Sequence, residues 1–103
     1  MPYGLSDDVL EKMQQYFAEN KAIEKVILFG SRAKGNFKQG SDIDLAAIGK
    51  NVGLQEIISL KADLEKINLP VDFDLLNYNT VAEPALIEHI QRVGIELYQK
   101  NDR

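Results

Sequence analysis

A Gly-Ser pair at Gly30-Ser31, ten intervening residues, then Asp42-Ile43-Asp44-Leu45 constrain this chain more than any other stretch. The segment reads LFGSRAKGNFKQGSDIDLAAIG and separates two apolar runs. The first run, Val26 to Phe29, stops at the Gly-Ser pair; the second opens on two carboxylates one residue apart. On a β-strand, residues i and i+2 point to the same face, about 6.6 Å apart. Asp42 and Asp44 therefore project side by side from the start of a strand. Acids held that close repel one another unless a cation lies between them. A hard divalent ion such as Mg2+ takes such oxygens and completes its shell with phosphates. The Gly-Ser turn offers backbone N–H groups and a hydroxyl to a phosphate. Together the two halves suggest a site for a metal-bound nucleotide.

The rest of the chain supplies helices and strands around that segment. Ser6 is an expected N-cap, with Asp7 and Asp8 in the first turn, where the helix dipole favours acids. Val9, Leu10, Met13, Tyr16 and Phe17 then recur at helical spacing to about Asn20. Lys25 to Phe29 is a short run of strand formers. Ser31 to Lys34 suits one helical turn, and the polar stretch to Ser41 reads as a loop whose charges are Arg32, Lys34 and Lys38. These cations would form a rim suited to a polyphosphate beside the two acids. Asp42 to Ile48 is the second strand, Leu54 to Ile67 a helix ended by Pro70, and Val71 to Leu76 a third strand. A turn, Asn77 to Glu83, leads to a last helix expected from Pro84 to about Tyr98, with Leu86, Ile87, Ile90, Val93, Leu97 and Tyr98 as its apolar stripe. Gly94 interrupts that helix for close packing. His89 is expected at the surface or boundary, without a catalytic role.

Order alone brings more acids to the site. If Gly30-Ser31 ends the first strand and meets Asp42 at the start of the second, those strands run antiparallel. The second reaches the third through a helix, the connection expected of a right-handed parallel crossover. A parallel third strand sets its opening end, with Asp72 and Asp74, beside the opening end of the second. Three acids from two strands can hold two metal ions roughly 3.5–4 Å apart for in-line phosphoryl chemistry.

Composition removes other classes. At 103 residues the chain makes one domain, 1–103, with a single core. A net charge of −4 speaks against strong general nucleic-acid binding, whose affinity comes mostly from neutralised phosphates. With no cysteine and one histidine, neither a disulfide framework nor a multi-histidine zinc site can form within one chain. No apolar run approaches the roughly 20 residues of a membrane span, and no signal-peptide pattern opens the chain. A soluble cytoplasmic protein is the expectation.

The Gly-Ser, ten-residue, Asp-x-Asp element resembles the signature of the DNA polymerase beta-like nucleotidyltransferase superfamily. GSRAKGNFKQGSDIDL and the ending HIQRVGIELY are similar to its minimal nucleotidyltransferases of bacteria and archaea, over roughly Val26 to Tyr98. The resemblance implies an α/β (α+β) fold, a small mixed sheet of about three strands with helices on one side, like a polymerase beta palm. It implies Mg2+, as two ions, and ATP as nucleotide donor. Asp42 and Asp44 match the paired metal ligands. Asp74 best fits the third carboxylate, with Asp72 the alternative. Gly30 and Ser31 match the phosphate-holding turn, and Arg32 and Ser41 flank it as further nucleotide contacts. The implied reaction is attack of an acceptor hydroxyl on the α-phosphorus, with pyrophosphate leaving.

Minimal nucleotidyltransferases are typically encoded beside a helical HEPN partner. Such pairs are similar to toxin–antitoxin systems in which the nucleotidyltransferase, as antitoxin, adenylylates the toxin. The alternatives are a non-catalytic nucleotide-binding antitoxin that acts by complex formation, and one subunit of a small-molecule nucleotidyltransferase. A homodimer or a heterocomplex would cover apolar surface that so small a domain leaves exposed.

Overall fold

The computed structural model describes residues 1–100. Helix α1 (Asp7–Glu19) starts as its sequence dictates: the Ser6 hydroxyl accepts the Val9 N–H at 3.2 Å, and Asp7 and Asp8 occupy the first turn. Its apolar stripe buries Met13 and Phe17 completely. The chain continues through β1 (Lys25–Phe29), the single turn α2 (Gly30–Lys34), β2 (Ile43–Ile48) and α3 (Leu54–Glu65). The Glu56 carboxylate caps α3 by accepting the Gly53 N–H at 2.8 Å. Then come β3 (Phe73–Asn77), α4 (Pro84–Val93) and β4 (Ile95–Gln99).

The sheet is mixed, in the order β3-β2-β1-β4. β1 and β2 are antiparallel, with Phe29 opposite Asp44, and β2 and β3 are parallel, as the helical crossover requires. The last segment departs from expectation. Helix α4 ends at Val93, and Ile95–Gln99 pairs antiparallel with β1 as a fourth strand. Leu97 and Tyr98 are therefore strand residues, not part of a helical stripe. Their spacing from Ile90 and Val93 fits a helix, but IELYQ also alternates like a strand, and β1 would otherwise present an open edge. Gly94 makes the change of direction possible. Its N–H caps the Ile90 carbonyl at 2.9 Å, and a Cβ there would overlap that carbonyl and sit 2.6 Å from the Ile27 methyl.

Both faces of the sheet are covered, not one. Val26, Leu28, Ile43, Leu45, Ala47, Phe73 and Leu97 face α1 and α3 in the main core. The opposite face carries Phe29 and Ala46 against Ile90 of α4, with Ile27, Leu76, Leu86 and Val93 partly buried around them. Strand alternation puts Asp44 on this second face, in line with Ala46. Among the described residues, no helix is long and apolar enough to cross a membrane.

Candidate active site

The site lies at one end of the sheet, on the α4 side. Phe29 is extended and Gly30 turns left-handed at φ +74°, which breaks β1 sharply and starts α2. Only glycine fits there: besides the positive φ, a Cβ would run into the Asp44 carboxylate. The backbone of the Gly-Ser turn thus abuts the second acid of the Asp-x-Asp pair. This close approach is the physical reason the two halves of the motif occur together.

Parallel pairing then sets Asp74 directly beside Asp44, one rung below Ile43 and Phe73. Asp42 precedes Ile43 and is exposed; Asp44 is half-buried and Asp74 exposed. The Asp44 carboxyl is pushed up to about 6. Burial is the main cause, followed by the negative charges of Asp74 and Asp42 and a hydrogen bond to the Asp74 carboxyl; Arg32 pulls weakly the other way. Asp44, Asp74 and Asp42 thus form one electrostatic group. Asp72 sits a rung further out, where its backbone carbonyl accepts the Ile43 N–H at 2.9 Å.

A divalent cation between these carboxylates would relieve their repulsion. Among the described residues, no three acids or histidines close into a cage on their own. An ion there would need oxygens from water and from a bound phosphate to complete its shell, as Mg2+ commonly takes them. The donor set, carboxylates strained by one another at an open edge, fits such an ion.

Arg32 is not on the rim. It is buried, its Nε and one terminal nitrogen donating to the Ser41 carbonyl at 3.1 and 2.7 Å and the other to the Tyr3 carbonyl at 2.9 Å. Its guanidinium lies 5.3 Å from the centre of the Phe37 ring. The Ser41 hydroxyl in turn accepts the Lys38 N–H at 2.9 Å. Arg32 and Ser41 build the loop that delivers Asp42, and the exposed cations of that loop are Lys34 and Lys38.

His89 is half-buried, as a boundary residue should be, but it reaches the site. Its Nε2 accepts the Gly30 N–H at 3.2 Å, and its ring stands edge-on to Phe29, centroids 6.1 Å apart. The available signal was its place three residues after Leu86, on the flank of the α4 stripe. A polar recess of about 310 Å3 between the end of α1 and α3, lined by Asn20, Glu56 and Asp63 among others, shares no residue with this set.

An acidic pair at the entry to β2, an acid on the parallel β3 and a glycine turn pressed against them thus meet at one end of the sheet. The chain belongs to the polymerase beta nucleotidyltransferase family, whose model ("Polymerase beta, Nucleotidyltransferase") matches residues 11–103. Two proteins of Methanocaldococcus jannaschii, each named "putative protein adenylyltransferase", are similar to it. One is 32% identical over 76 residues, covering 73% of this chain and 80% of the relative. The other is 30% identical over 86 residues, covering 82% of this chain and about half, 54%, of the relative. Solved structures share the fold. A chain from a toxin–antitoxin crystal structure with AMP-PNP superposes with a TM-score of 0.72 at 22% identity, covering 88% of this chain and 73% of that one. A chain from the complex of a tri-AMPylated Shewanella oneidensis HEPN toxin with its MNT antitoxin gives 0.69 at 19% identity, covering 93% and 74%.

Proposed function

We propose that this nucleotidyltransferase is a Mg2+-dependent protein adenylyltransferase that moves AMP from ATP to a hydroxyl of a helical HEPN partner, as the antitoxin of a cytoplasmic toxin–antitoxin pair. The observation that carries the reading is the parallel register that sets Asp74 against Asp44, with Asp42 two residues ahead. The names of the two archaeal relatives favour AMP as the group and a protein as the acceptor. The fold neighbours crystallised with AMP-PNP and with an AMPylated HEPN toxin favour the same nucleotide and partner.

In this reading Asp42 and Asp44 would hold the metal, and the turn that Gly30 shapes would bring Ser31 to the phosphates beside them. A metal ion held there would supply charge neutralisation on the triphosphate and acidity to the attacking hydroxyl. Asp74 orients that hydroxyl and draws off its proton. The acceptor oxygen forms its bond to the α-phosphorus, the bridging bond to the β-phosphate breaks, and pyrophosphate leaves with the electron pair. The third-carboxylate role is given to Asp74 because it shares a rung with Asp44, while Asp72 lies a rung further out. Arg32 and Ser41 act on the nucleotide through the loop they shape.

Intact-mass spectrometry of a HEPN partner co-expressed with this chain tests the reading. Incubation with the wild-type chain, ATP and Mg2+ should add the mass of one or more AMP groups, and Asp44→Asn should leave the mass unchanged. An unmodified partner with every nucleotide tried would refute adenylyl transfer.

A further inference from the structure

We infer that His89 is a positioning residue of the nucleotide site, holding the Gly-Ser turn against Asp44 through the Gly30 amide. The inference rests on the proposed nucleotide site and adds to it a residue outside the Gly-Ser and Asp-x-Asp motif. Glycine populates left- and right-handed backbone about equally, so a glycine at the end of β1 does not by itself choose how the turn leaves the strand. A partner for its N–H does. Here that partner comes from α4, 59 residues further along the chain.

The imidazole is well placed to hold its atom steady. Ile90, the next residue, is buried against Phe29 and Ala46 and fixes this turn of α4 on the sheet. The ring of His89 stands at 84° to that of Phe29, in the edge-on arrangement aromatic rings prefer. Nε2 then meets the Gly30 N–H at 3.2 Å. Rotation of the Phe29–Gly30 peptide would lose that bond and bring a carbonyl where the N–H was. Because Gly30 touches the Asp44 carboxylate, the same rotation would disturb the acid. With the Gly30 N–H engaged by His89, Gly30 serves the site by its shape, and phosphate contact falls to Ser31.

Two substitutions separate the hydrogen bond from the packing. His89→Phe keeps a ring edge against Phe29 and removes the acceptor. His89→Gln places an amide oxygen near the position of Nε2. Isothermal titration of the full chain with AMP-PNP and Mg2+ should show His89→Phe binding about fivefold more weakly than wild type, the worth of one hydrogen bond, with His89→Gln restored to within about twofold. Far-UV circular dichroism should show all three chains equally folded at the temperature of the titration. Hydrogen exchange at the Gly30 amide, read by NMR without nucleotide, should accelerate in His89→Phe and not in His89→Gln. Wild-type affinity in His89→Phe, or tighter binding as expected if phosphate competes with His89 for the Gly30 N–H, would overturn the inference. So would a His89→Gln variant as weak as His89→Phe. A wild-type chain that binds no nucleotide would sink the nucleotide site itself. The amide then decides alone: unchanged Gly30 exchange in His89→Phe refutes the hold on the turn.

Discussion

The two faces of the sheet do different work although they are built from alternate residues of the same strands. The face toward α1 and α3 holds a cluster of fourteen buried apolar residues among those described, against three on the face toward α4. Leu45 and Asp44 are neighbours in sequence, yet one is sealed in the main core and the other stands at an open edge beside Asp74. The first face can carry the free energy of folding because close-packed apolar area is where that energy comes from. The second face can therefore tolerate a group of carboxylates that burial and mutual repulsion disfavour. A small domain gains a reactive edge by leaving one face half-covered and letting the other supply the stability.

The largest expected effect is on the sealed face. Phe17 is fully buried and packs at a tilt against Tyr98, ring centroids 5.9 Å apart. Phe17→Ala should cost about 3–5 kcal/mol by urea unfolding. Ile90→Ala, in the thin cluster under α4, should stay near the lower end of the usual 2–5 kcal/mol for such a truncation. Equal losses at the two positions would break the asymmetry.

The next effect sharpens the comparison within the open face. Asp72 and Asp74 flank the buried Phe73 and are both exposed, but only Asp74 shares a rung with Asp44. Asp74→Asn should lower AMP transfer about 10²–10³-fold, comparable to deleting one well-aimed transition-state group. Asp72→Asn should change it less than about threefold, as exposed substitutions away from a site generally do. Single-turnover rates with the HEPN partner separate the two. The reverse pattern would move the third-acid role to Asp72.

Much of this was legible in the chain. The Gly-Ser turn, the Asp-x-Asp alternation and the crossover through α3 all depend on local pattern and handedness, and they lead to the shared edge without coordinates. What escaped was non-local. Ile95–Gln99 satisfies helical and strand spacing alike, and the free edge of β1 decided between them. Arg32 reads as a surface cation until Ser41, at the far end of its loop, and the distant Tyr3 are seen to offer it carbonyls. His89 meets Gly30 only because α4 crosses the face opposite α1 and α3, a placement that helix periodicity does not contain.

The smallest effect tests whether Asp44 is a strained charge. Its folded-state pKa is raised from 3.8 to about 6, so the folded chain holds the proton more tightly than the unfolded chain does. The stability this confers is present below pH 3.8, declines as pH rises between the two values, and is gone above about 6. Asp44→Asn resembles the protonated form at every pH. It should match wild type in acid below about pH 3.8, and exceed it by about 1 kcal/mol near about pH 8, once screening of this half-exposed group is allowed for. Saturating Mg2+ at the higher pH should then stabilise the wild type and leave Asp44→Asn unmoved. A variant less stable than wild type at the higher pH would mean that the Asp44 carboxylate supports the fold. The division of labour between the two faces would then fail at the residue where they come closest.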